Sequence, residues 1–197
     1  MTGATTMKLS TLTQALRKPL VRLAQDQRGV SAVEFAMLLP FMLTLYLGGV
    51  EVSQGVAMDR KTTMVVRAVA DLAAQTTTIT NTDMTNILSA SAAVVAPYSA
   101  TNLKVTVSSV SIDGQSKATI KWSDAYNATA HTAGQAVTLP AAFVVPNTTL
   151  IWGEVQYAYT PTIGYVLTGT LNLSDQIYMR PRLAACVTRT TSNGSVC

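Results

Sequence analysis

Several kinds of chemistry are excluded by residues that the sequence lacks. The chain has one histidine, His131, and two cysteines that do not form a CxxC pair. A structural zinc site needs about four closely spaced ligands, so neither a metal ion nor another cofactor is expected. A phosphate-binding loop and a GxSxG motif are also missing. We therefore predict no catalytic residues and a protein that is not an enzyme; the alternative, a membrane-tethered hydrolase, would require a clustered polar site.

Charged residues are scarce, at 12% of the chain, and their distribution is uneven. Residues 1–29 contain five basic residues against one acidic residue, Asp26, whereas the remaining residues contain nine of each sign. A nucleic-acid-binding domain carries its positive charge on the folded surface, so no nucleic acid is expected as a partner. The basic segment instead precedes an apolar run, where positive charge indicates membrane topology.

The apolar run covers residues 30–50 and contains one charged residue, Glu34. As a helix it would be about 30 Å long, which matches the hydrocarbon core of a bilayer. The positive-inside rule places residues 1–29 in the cytoplasm and the residues after about 50 outside, so a single-pass protein of a bacterial inner membrane is expected. The alternatives are a soluble core helix and a cleaved secretory signal, whose apolar stretch is usually about 7–15 residues long.

The rest of the chain predicts a small α+β domain. Apolar residues at steps of three and four extend the helix as an amphipathic segment over residues 51–75. Residues 76–197 form the predicted extracytoplasmic domain, with a short helix from Asp83 to Val95 capped by Asn81 or Thr82. A hairpin about Asp113-Gly114 and a strand over 149–159 follow, separated by a loop over about 123–147. A further short helix or strand is expected within 163–180, so a long N-terminal helix would pack on a small antiparallel sheet.

The start of the apolar run carries a dense motif. Arg28-Gly29 is followed by Ala32-Val33-Glu34-Phe35 and then by Leu39-Pro40. This order resembles the N-terminal segment of TadE-like proteins of the Tad (Flp) type IV pilus system. Tyr157-Ala158-Tyr159-Thr160-Pro161 and Arg180-Pro181-Arg182 resemble elements near the C-termini of the same family.

The resemblance implies roles for five residues. A prepilin peptidase would cut between Gly29 and Val30, and Glu34 with Phe35 would serve subunit assembly. The new α-amine on Val30 would have a pKa of about 7.7–8.0, so its ammonium could neutralise the Glu34 carboxylate of a neighbouring subunit. Pro40 is a candidate helix kink. The alternatives are that Glu34 only extends to the headgroups and that Pro40 is a tolerated membrane proline.

The two cysteines, Cys186 and Cys197, lie near the C-terminus. Outside the cytoplasm, two cysteines at this spacing are candidates for one disulfide, and the alternative is a pair of free thiols.

These observations lead to one functional expectation. The chain would be a TadE-like minor pilin or pseudopilin that helps a Tad pilus assemble or initiate during surface attachment. Its expected partners are prepilin peptidase, other pilin and pseudopilin subunits, the inner-membrane pilus assembly platform and the lipid bilayer. Incorporation in an extracellular pilus is the alternative to a location in the inner membrane alone. The alternatives are an uncleaved single-pass anchor of the assembly machinery and an adhesin at the pilus tip.

Overall fold

The computed structural model describes residues 28–161, Gly164 and 168–197. The basic leader predicted over residues 1–29 lies outside this range except for its last two residues. The chain divides into two compact units between Gly49 and Val50.

The first element is a long helix, α1, from Arg28 to Ala74. It is long and apolar enough to cross a membrane. It continues through Pro40, whose ring nitrogen has no N–H to donate to the Ala36 carbonyl. The Thr44 hydroxyl donates to the Pro40 carbonyl at 2.9 Å. The kink predicted at Pro40 stays a prediction.

The second half of α1 is amphipathic, because its buried residues recur at helical spacing. They form one face that packs within the second unit: Met58, Val65, Val66, Val69, Ala70, Ala73 and Ala74. The predicted end of this segment, at residue 75, lies one residue beyond the end of the helix.

A second helix, α2, runs from Asn81 to Val95. The prediction of its start was wrong by two residues, and the predicted caps Asn81 and Thr82 were also wrong. The cap is Thr80. The Thr80 hydroxyl accepts a hydrogen bond from the Asp83 backbone N–H, and the Thr80 backbone N–H donates to the Asp83 carboxylate. This reciprocal capping box satisfies two backbone donors and fixes the helix start at Asn81.

Five strands form the larger sheet, in the order β4-β3-β2-β5-β6, with antiparallel pairs throughout. Their bounds are β2 Leu103–Ile112, β3 Ala118–Tyr126, β4 Ala136–Val137, β5 Thr148–Tyr159 and β6 Leu171–Met179. The predicted hairpin is present as β2 and β3. The loop expected over about 123–147 was predicted too long, because β3 continues to Tyr126 and β4 pairs with its first residues.

Alternate residues of β2 point to opposite faces of this sheet, and both faces bury apolar side chains. Leu103, Val105 and Val107 lie on the inner face, in the core formed with α1 and α2. Val110 and Ile112 lie on the outer face, in a second, smaller core. The buried apolar residues of β2 therefore change from odd-numbered to even-numbered positions where the strand passes from the first core to the second.

A smaller sheet has the order β1-β7-β8 and was not predicted. Its strands are β1 Thr78–Ile79, β7 Thr188–Thr191 and β8 Gly194–Val196. β1 pairs with β7 in parallel, whereas β7 and β8 form a hairpin. The predicted α+β class, with a long N-terminal helix and antiparallel sheets, is confirmed.

Candidate functional site

The predicted cleavage site lies in the first turn of α1. Gly29 and Val30 are both exposed. A Cβ atom placed on Gly29 would have no atom within 4 Å other than those of its chain neighbours and of the local helix backbone, so the described residues leave this position open. An approaching peptidase would meet no steric block from the described part of the chain.

Glu34 and Phe35 follow one turn later and are also exposed. Phe35 is 59% exposed. Glu34 forms no ion pair with any side chain that the structure describes. A carboxylate within an apolar helix is costly in a membrane, on the order of 2–3 kcal/mol, and such residues usually have a partner. The helix therefore presents a carboxylate whose partner would come from outside the described chain.

The first half of α1 exposes a continuous apolar surface. Exposed apolar patches on soluble monomeric proteins rarely exceed a few hundred square ångströms, and larger ones mark contact with a membrane or another protein. The exposed large apolar residues of this surface are Val30, Val33, Phe35, Met37, Leu38, Leu39, Phe41, Met42, Leu43, Leu45 and Tyr46.

The two cysteines lie in the C-terminal segment. The structure joins Cys186 to Cys197, with Cα atoms 5.8 Å apart and a sequence separation of 11. This Cα distance lies in the ordinary range for a disulfide, about 4.4–6.8 Å. The pair closes a loop that contains β7 and β8.

The same C-terminal segment is attached to the end of α1. The Arg182 N–H donates to the Ala74 carbonyl at 2.9 Å, and the Arg182 guanidinium binds Asp71. Thr188 donates its N–H to the Thr77 carbonyl at 3.0 Å. Carbonyls at a helix C-terminus lack partners within the helix, so the C-terminal segment supplies one.

Tyr157 and Tyr159 belong to the C-terminal motif that resembles TadE-like proteins. Both lie in the core formed with α1 and α2 rather than on the surface. Burial, followed by the neighbouring Tyr98, raises the pKa of both phenols. The Tyr157 hydroxyl donates to the Ser99 carbonyl at 3.1 Å, and Tyr98 contacts the Tyr159 ring edge-on. Their buried position at the C-terminal end of β5 indicates a packing role.

One side-chain arrangement was missed by the sequence analysis. His131 Nε2 lies 2.6 Å from Glu154 Oε2, and the His131 ring stacks on Trp152. The alternation of β5 could have placed Trp152 and Glu154 on one face. Nothing in the local sequence shows that the preceding loop brings His131 over them.

The exposed apolar residues of α1 show a helix suited to a membrane or to partner helices. The described residues contain no cluster of His, Cys, Asp and Glu able to hold a metal ion. Residues 29–74 match the family model described as TadE-like protein. The predicted resemblance is thus confirmed over α1, and this part of the chain is similar to TadE-like proteins. No curated protein and no solved structure matches the chain.

Proposed function

We propose that this chain is a TadE-like minor pilin or pseudopilin that takes part in assembling a Tad-type pilus. The observation that carries the proposal is the exposed apolar first half of α1, which has one carboxylate, Glu34, near its start and lies within the segment that matches TadE-like proteins. The association with the Tad pilus system comes from the family. The specific role comes from the residues at the start of α1.

Processing after Gly29 would complete the assembly contact. Val30 and Glu34 are four residues apart, so their backbones lie about 6 Å apart along the helix axis. The new ammonium of one subunit and the Glu34 carboxylate of its neighbour would neutralise each other. Neither charge would then remain unpaired in an apolar environment, and the pairing would fix the axial register of adjacent helices.

The proposed topology follows the same helix. Residues 1–29 would lie in the cytoplasm, residues 30–50 would cross the inner membrane, and the amphipathic extension over 51–75 would lead into the extracytoplasmic domain over 76–197. An oxidising compartment outside the cytoplasm would favour the disulfide between Cys186 and Cys197. The exposed apolar surface of α1 supports contact first with lipid and then with other pilin helices.

The proposed partners follow from this sequence of events. Prepilin peptidase would act on the leader, the inner-membrane assembly platform would receive the processed chain, and pilin and pseudopilin subunits would pack against α1. An uncleaved anchor of the assembly machinery would retain the leader and would have no free amine at Val30.

The test compares two carboxylates on the same helix. Asp59 is exposed and forms no ion pair with the described side chains, so Asp59→Asn is the matched control for Glu34→Gln. Pili are counted by electron microscopy of cells that express each variant, and pilus subunits that copurify with the protein are measured.

We expect Glu34→Gln to reduce both pilus number and copurification, while Asp59→Asn leaves them unchanged, at equal protein levels. Wild-type pilus number and copurification in the Glu34→Gln strain would contradict the proposed assembly role.

A further inference from the structure

The outer face of the five-stranded sheet, opposite the face that packs on α1 and α2, has two different halves. One half buries the second core, in which Leu139 covers Val110, Ile120 and Leu150. The other half has no apolar core. There the outward residues of β2, β5 and β6 are polar, and they include Lys104, Gln156 and Ser174.

An open groove of about 590 Å³ lies in this polar half. The loop after β3 forms one wall, where Asn127 adopts a positive φ of 50° and donates to the Leu103 carbonyl at 3.1 Å. Its polar lining includes Lys104, Thr106, Asn127, His131, Glu154 and Gln156. Two smaller depressions that share Gln156 with the groove extend it across β6. The groove therefore crosses three strands.

A row of aromatic rings forms the boundary between the groove and the second core. His131 stacks on Trp152 with ring centroids 5.0 Å apart, and Trp152 stacks on Tyr178 at 6.0 Å. The Trp152 Nε1–H and the Tyr178 hydroxyl both donate to Gln176 Oε1 at 3.3 Å. These bonds tie Trp152 and Tyr178 to the same glutamine beside the second core, and His131 is the ring of this row that lines the groove.

The charges of the groove decide which class of ligand fits. Lys104 provides a positive charge and Glu154 a negative one. Basic residues do not dominate the lining, so a polyphosphate or another polyanion would meet the Glu154 carboxylate without a compensating basic cluster. Amide, hydroxyl and carboxylate groups instead both donate to and accept from neutral hydroxyls.

We propose that this groove binds a neutral oligosaccharide chain. Sugar hydroxyls would bond to the Gln156 amide and the Glu154 carboxylate, and the apolar C–H groups of a sugar ring would pack on the His131 ring. A concave site that combines aromatic surface with a few placed polar groups is the usual form of a specific ligand site. The inference goes beyond the proposed pilus role and does not depend on it.

The test uses the full chain in phosphatidylcholine nanodiscs, with the tetramers of N-acetylglucosamine and of glucose as probes. Binding is measured by isothermal titration calorimetry. We expect at least one tetramer to bind saturably, with a Kd on the order of 1 mM or tighter. Gln156→Ala removes one groove amide from an exposed position, so it should weaken binding about two- to tenfold without unfolding the protein.

The matched control is Gln115→Ala, since Gln115 is exposed in the turn between β2 and β3 and does not line the groove. Its affinity should equal that of the wild type. Three results would overturn the proposal: no saturable binding of either tetramer, equal affinities of the Gln156→Ala and Gln115→Ala variants, or binding of a sulfated heparin tetrasaccharide alone. Pilus number does not enter this test, so its failure is separate from a failure of the pilus proposal.

Discussion

The guanidinium of Arg189 donates to both carboxylate oxygens of Asp124, which lies 65 residues earlier in the chain. The distances are 2.8 Å from Nε to Oδ2 and 3.0 Å from Nη2 to Oδ1. The Arg189 side chain is only 7% exposed, and its Nη1 also donates to the carbonyls of Ile79 and Thr190. This arginine therefore links β3 of the larger sheet to both β1 and β7 of the smaller one.

Removal of Asp124 should destabilise the domain strongly. Asp124→Ala leaves the buried guanidinium without its carboxylate, and breaking a buried pair typically costs about 3–5 kcal/mol. Because the Asp124 side chain is 26% exposed, we expect a loss near the lower end of that range. The measurement is denaturant unfolding of the chain in nanodiscs, followed by tryptophan fluorescence.

The double variant Asp124→Ala, Arg189→Met is the control for this prediction. It removes both charges and replaces the arginine by an apolar side chain, so it should recover part of the stability. If Asp124→Ala unfolds at the wild-type denaturant concentration, the pair does not join the two sheets in the way described.

Gly153 is required where β5 packs on α1. A Cβ atom on Gly153 would lie 3.0 Å from Val66 Cγ2 and 3.2 Å from the Ala70 Cβ atom. Gly153→Ala should therefore force the helix and strand apart and destabilise the domain by about 1–3 kcal/mol. Thermal unfolding followed by circular dichroism measures the effect.

Gly114→Ala serves as the matched control, because the nearest atom to its added Cβ would be 3.6 Å away, an ordinary contact. Its melting temperature should remain close to that of the wild type. Equal melting temperatures for the two alanine variants would refute the close packing at Gly153.

The disulfide should contribute to stability through its closed loop. With a sequence separation of 11, the loss of loop-closure entropy in the unfolded chain corresponds to about 2–3 kcal/mol. Cys186→Ser with Cys197→Ser should lower the free energy of unfolding by this amount and so lower the denaturation midpoint, and reductant should lower the wild-type midpoint similarly. Reductant should leave the double variant unchanged; a wild-type midpoint that is insensitive to reductant would contradict the pairing.

The capping box of α2 should make stability depend on pH at the acidic end. The side-chain hydrogen bond with Thr80, and then the Thr80 backbone, hold the Asp83 pKa below its ordinary value of 3.8. A carboxyl group whose pKa is lower in the folded state stabilises the protein above the unfolded pKa, and this stabilisation is lost as the pH falls through the folded pKa.

The comparison with Asp83→Asn isolates this effect. The wild type should melt at a higher temperature than the variant at pH 7, and the difference should shrink as the pH falls below 3.8. A constant difference between pH 7 and pH 2.5 would show that the Asp83 charge does not contribute to the cap.

The sequence was most informative where a regular pattern continued for many residues. The apolar run and the steps of three and four predicted α1 almost to its ends, and alternation predicted β2, β3 and β5. The start of α2 was predicted less well, because Thr80, Asn81 and Thr82 are all good caps. Only the reciprocal bonds between Thr80 and Asp83 distinguish them.

The missed features depend on contacts between distant residues. β1 and β4 have two residues each and form only by pairing with other strands, so they have no periodic signal of their own. The pair of His131 with Glu154 likewise depends on the loop after β3, which has no regular pattern. The resemblance at the start of α1 could be predicted because its motif is contiguous in the sequence, and the roles of its residues stay predictions.

The most direct test of the proposed function is the N-terminal residue of the mature protein, measured by mass spectrometry after isolation from native membranes. We predict a chain that begins at Val30. A Gly29→Ala variant, whose added Cβ would contact no other described side chain or distant backbone, should slow cleavage without disturbing the fold and should retain residues 1–29 in a larger share of the protein. A wild-type chain that retains residues 1–29 would contradict the processed-pilin account and identify an uncleaved anchor.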